Sequence, residues 1–91
     1  MQLEDAVDRA KNLIQLMFRG EEISHLGVEE AELDRESGKW RITVGFARPW
    51  NTARDALSVI SGVPTVSRAQ KVVTIDNATG DLVSIKNHDI N

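Results

Sequence analysis

His25 and His88 are the side chains of this sequence whose ordinary pKa lies near neutrality, so any general base is sought there first. A histidine base needs a nucleophile within reach and a third group to orient it. Ser24 and Ser84 are the nearby serines, and neither has an orienting residue at a recognisable spacing. A metal site would need a His-x-x-x-His pair or a His/Asp cluster, which neither histidine has. The chain has no cysteine, which removes disulfides, thiolate nucleophiles and thiolate ligands together. Phosphate-binding glycine loops and nucleic-acid motifs are also missing from the sequence. The expectation is a non-enzyme with no catalytic residues, no cofactor and no metal.

Three other groups stand out. Glu29, Glu30, Glu32, Asp34 and Glu36 form an acidic run, but alternation spreads most of it along one strand face, whereas calcium needs a loop wrapped around the ion. Pairing with Lys39 and Arg41 on the next strand is the simpler account. Asp76, Thr79 and Gly80 read as turn chemistry: short polar side chains bond nearby backbone N–H groups, and glycine supplies positive φ. Arg48-Pro49-Trp50-Asn51 combines two residue types enriched at binding hot spots. A tryptophan after a strand can equally close the end of a small core. Trp40, in phase with Ile42, Val44 and Phe46, belongs to that core.

The elements that position these residues follow from periodicity. Leu3, Ala6, Val7, Ala10, Leu13, Ile14 and Met17 recur at helical spacing, with Glu4 and Asp5 in the first turn and Arg19 and Gly20 at the end. This predicts a helix over 3–19. Residues 28–36 and 39–48 predict a hairpin around Ser37-Gly38, with Leu33 facing Ile42, Ala31 facing Val44, Asp34 facing Arg41 and Glu36 facing Lys39. Val28 is out of phase with that set, so a bulge near Glu29-Glu30 is expected. Residues 70–76 and 81–87 predict a second hairpin, with a type I turn on Ala78-Thr79 and Gly80 left-handed. Ile75 then faces Val83 and Val73 faces Ile85, while Val72, Thr74, Asp76, Leu82, Ser84 and Lys86 fall on the opposite side. Between the hairpins runs an excursion over 49–68, in which Asn51 or Thr52 can cap a short helix carrying Ala53, Ala56, Leu57 and Ile60.

Ninety-one residues make one domain, 1–91, and 41% hydrophobic with 27% charged residues is ordinary globular composition. The net charge of −3 conceals a split of −6 over residues 1–36 and +3 over residues 37–91. An acidic balance argues against nucleic acid, and no segment is long and apolar enough to be read as a membrane span. The start, Met1-Gln2-Leu3-Glu4-Asp5, is acidic where a signal peptide would be basic, which predicts a cytoplasmic location. The expected architecture is α+β: one N-terminal helix on a curled four-stranded antiparallel sheet, in the order α-β-β-excursion-β-β.

Residues 71–86, Lys-Val-Val-Thr-Ile-Asp-Asn-Ala-Thr-Gly-Asp-Leu-Val-Ser-Ile-Lys, resemble the signature of PepSY-like domains. There a strand ends in Val/Ile-Asp-Ala-x-Thr-Gly before a second strand, matching Asp76, Thr79 and Gly80. The leading helix and Glu32-Leu33 are also similar. The resemblance leaves out residues 49–68. It implies a cystatin-like sheet on a helix and a non-catalytic role, since the family includes propeptide segments of metallopeptidases and domains that bind or inhibit peptidases.

The sequence therefore predicts a protein-binding module, peptidase-inhibitor-like or regulatory. Candidate partner contacts are Arg41, Arg48, Trp50, Val72 and Leu82. The outward row Arg41, Thr43, Gly45 and Ala47 is small or cationic and leaves room for a partner. A homodimer joined through open faces or edges, with a structural role, is the rival expectation, favoured by Val72 and Leu82 on the polar face. A small-ligand site between helix, sheet and excursion is the third.

Overall fold

The structure, a computed structural model, describes residues 1–48 and 68–88. It contains helix α1 (Leu3–Met17) and strands β1 (Ser24–Asp34), β2 (Lys39–Ala47), β3 (Arg68–Asp76) and β4 (Leu82–Asn87). The strands form one antiparallel sheet in the order β1-β2-β3-β4. This is the α+β arrangement of one helix and four antiparallel strands that the periodicities predict. The expected short helix and most of the 49–68 excursion lie outside the described residues, while Arg68 opens β3.

The helix stripe is shorter than its periodicity suggests. Ala6, Ala10, Leu13 and Ile14 are buried, whereas Leu3 and Met17 at the stripe's ends are 53% and 56% exposed. Leu3 and Met17 are the first and last residues of α1, so the sheet covers the ridge only along its middle. The helix also stops two residues earlier than expected, leaving Arg19 outside its last turn. Phe18 is the capping residue, and its ring turns into the core against Phe46, centroids 5.0 Å apart. A buried aromatic ends this helix, not the glycine that follows. At the other end the Asp5 carboxylate accepts a hydrogen bond from the Gln2 N–H at 3.1 Å.

Trp40, Ile42, Val44 and Phe46 on β2 and Val73 and Ile75 on β3 meet the helix in one core. β2 is central and its helix-facing residues are almost wholly enclosed. Ile23, Leu26, Val28, Leu33, Ala69 and Ile85 pack around the rim, half-buried.

The first hairpin keeps the predicted faces but not the predicted partners. Leu33 faces Trp40, Ala31 faces Ile42, Glu32 faces Arg41 and Asp34 faces Lys39, two residues away from the expected pairing. The connection is therefore the four-residue loop 35–38. Asp34 sets it: its Oδ1 accepts from the N–H groups of Glu36 at 3.1 Å and Ser37 at 3.4 Å. Gly38 closes it with φ of 68° and an N–H bond to the Asp34 carbonyl at 2.9 Å. A shift of two preserves alternation, so apolar still meets apolar and acid still meets base. The expected bulge is present, between Val28 and Glu30.

Candidate interaction surface

The second turn has the same chemistry as the first. Asp76 Oδ1 accepts from Ala78 N–H at 2.8 Å and Thr79 N–H at 3.1 Å, and Gly80, at φ 75°, donates to the Asp76 carbonyl at 2.8 Å. Asp34-x-x-Ser37-Gly38 and Asp76-x-x-Thr79-Gly80 are thus one motif used twice, a repeat that comparing the two turns in the sequence would have exposed. The turns also bind each other: Asn77 N–H donates to the Gly38 carbonyl at 2.9 Å, and the Trp40 indole donates to Asn77 Oδ1 at 2.8 Å. Both aspartates are held below the ordinary carboxylate range. For Asp34 the causes are the Ser37 hydroxyl and backbone N–H, then Glu36 N–H and the charge of Arg41. For Asp76 they are the backbone N–H groups of Thr79 and Ala78, then the Thr79 hydroxyl and the charge of Lys39. These motif residues fold the turns.

The candidate contact residues do not converge. Arg41, on the face away from the helix, is engaged by Asp34 at 3.3 Å and Glu32 at 3.5 Å. Arg48 lies past β2 and forms a two-pronged pair with Glu21 at 2.8 and 3.1 Å, its guanidinium 4.8 Å from the Phe18 ring centroid. That contact ties the chain after the helix to the end of the core. Trp50 lies outside the described residues. Val72, half-buried, faces Thr43 and Lys86 on the reverse side of the sheet.

Leu82 is on the other side. A register shift after Thr74 sets Ile75 opposite Leu82 in place of Val83, and this extra residue turns Leu82 toward the helix. The pairing of Val73 with Ile85 holds as predicted, so the error is confined to the strand's first residues. The expectation of Val72 and Leu82 on one face is corrected accordingly.

The room expected over Gly45 is also taken. A Cβ there would lie 2.5 Å from Glu29 Oε1 and 2.8 Å from Arg68 Nη2. Glycine in the middle of β2 lets Glu29 of β1 and Arg68 of β3 meet across it at 3.3 Å, and Arg68 also donates to the His25 carbonyl at 3.0 Å. Thr43 beside it is 7% exposed. The reverse face is bridged here by its own side chains.

The helix lies over β1, β2 and β3, and no Cα of it comes within 8 Å of a Cα of β4. Between them runs an apolar channel of about 330 Å³, open to solvent and lined by Leu13, Leu16, Met17, Leu82 and Ile85. Leu16 and Met17 are more than half exposed, and Leu82 and Val83 nearly so. Beyond the channel, the outer edge of β4 has no strand beside it among the described residues. A second hollow, of about 460 Å³, lies open along Gln2, Leu3, Glu4, Val7 and Asp8 at the helix start.

Neither histidine joins a cluster. His25 Nδ1 is 3.1 Å from Ser24 Oγ, with its backbone at φ 54°. His88 bonds Gln70 through its backbone, and its buried Nδ1 finds no partner among the described residues. Among the described residues no group of three His, Asp or Glu could hold a metal, and no helix is long and apolar enough to cross a membrane. Compared with known proteins, the chain matches no family model, no curated protein and no solved structure.

Proposed function

We propose that this chain is a non-catalytic protein-binding module that captures an extended segment of a partner along β4. One observation carries the reading: among the described residues the outer edge of β4 has no strand beside it, and it runs along an apolar channel that the helix leaves uncovered. The edge offers unpaired N–H and C=O groups, which template another strand, and the channel receives every second side chain of that strand. Backbone bonds supply affinity and the channel supplies selectivity. The likeness of residues 71–86 to PepSY-like domains, a family that includes peptidase-binding modules, supports a non-catalytic role.

Panning a random displayed heptapeptide library against the whole chain tests this. Enrichment of peptides apolar at alternate positions is expected, and Leu82→Asp should remove it while leaving the far-ultraviolet dichroism unchanged. Enrichment at helical spacing, or equal enrichment on the variant, contradicts the reading.

A further inference from the structure

Cations stand at both ends of β4, with one acid, Asp81, just before its first residue. At one end Arg9 Nε donates to the Gly80 carbonyl at 3.2 Å. At the other, Lys71 pairs with Asn87, and its Nζ stands 5.9 Å from the Phe18 ring centroid. β4 itself carries one cation, Lys86, which faces Val72 on the reverse side, and no acid. A strand added outside β4 would put alternate side chains in the channel and the others beside Lys86. Resting on the edge-addition reading, we infer that the captured segment is acidic as well as extended, apolar on the channel side and bearing Asp or Glu on the Lys86 side.

Charge also argues against a second copy as occupant. Two β4 strands paired about a two-fold axis normal to the sheet would bring both Lys86 side chains to one face with no β4 acid between them. The β1 edge of a second copy has acids, but its bulge between Val28 and Glu30 interrupts the alternation. A separate acidic segment meets neither obstacle.

Three synthetic heptapeptides distinguish the parts of this inference by calorimetric titration into the whole chain. The first alternates valine with glutamate, the second valine with lysine, and the third is the first with a central proline. The glutamate peptide should bind, the lysine peptide roughly tenfold more weakly, and the proline peptide not measurably. Lys86→Glu should narrow or reverse the preference between the first two, with dichroism unchanged. Equal binding of the glutamate and lysine peptides overturns the acidic preference and leaves edge addition standing. Binding by neither overturns both. Concentration-dependent association of the chain alone, lost in Leu82→Asp, assigns the site to a second copy and overturns the inference.

Discussion

β1 and β4 each leave one row of backbone N–H and C=O groups without a strand partner among the described residues, yet they present different surfaces. β1 is eleven residues long and interrupted twice, once between Ser24 and Gly27, where His25 has φ 54°, and once between Val28 and Glu30. Glu29, Glu30 and Glu32 stand exposed along it. Broken register and charge are the devices that keep edges from pairing with other chains. β4 is short, carries a single charge, and exposes Leu82 and Val83 beside a channel of further apolar side chains. One edge is defended over its whole length, and the other is defended mainly by being short. Such a difference within one small sheet is what the proposed docking edge requires: β1 is built to resist pairing, and β4 is the edge proposed to receive a partner.

The largest effect comes from removing what both edges share. Ile42 is fully buried and faces Ala31 of β1 and Val73 of β3. Ile42→Ala should cost about 2–5 kcal/mol in urea denaturation, with both hairpins losing amide protection together. Protection lost in one hairpin alone would show that the edges belong to separate cooperative units.

Next come the turns. Asp76→Ala removes an acceptor for two backbone N–H groups and should lower the urea denaturation midpoint, by less than Ile42→Ala does. Asp34→Ala should cost a similar amount, since the motif is the same. Both carboxylates titrate below their unfolded value, so the folded state binds fewer protons than the unfolded chain. Their stabilisation is complete above about pH 3.9 and is lost as the pH falls through the lower folded values. Stability measured from pH 6 down to pH 2 should therefore fall, and less steeply in the double variant. An unchanged slope in that variant would remove the turns from the acid response.

The smallest effect tests the bridge behind β1. Gly45→Ala pushes on the far ends of Glu29 and Arg68, both flexible and partly exposed. Losing that pair costs little, and alanine suits a strand better than glycine, so the net change should stay within about 1 kcal/mol. A loss above about 2 kcal/mol would mean that the cross-sheet pair, not the core, holds β1 in place.

Much of this was legible in the residues. The helix ridge, the two hairpins, the bulge at Glu29 and the left-handed Gly80 follow from spacing and turn chemistry. The first loop is two residues longer than Ser37-Gly38, which suits a tight turn, implies. The better signal was the recurrence of Asp-x-x-Ser/Thr-Gly, since an aspartate that caps its own loop dictates the loop's length. Leu82 lies on the face opposite to the one alternation predicts, because alternation counts residues evenly and one extra residue in a strand reverses what precedes it. The lateral placement of α1, which creates the channel, has no counterpart in periodicity. A helical stripe says which side faces the sheet, not which strands lie beneath it. That is why Leu13 and Met17 read as core positions and not as a binding wall, and why Leu16 falls outside the predicted stripe.

Amide hydrogen exchange on the whole chain, with and without the valine–glutamate peptide, tests the account most directly. Slowed exchange of β4 amides, with β1 amides unchanged, is the predicted result. Protection along β1, or a bound peptide that protects neither edge, would contradict it.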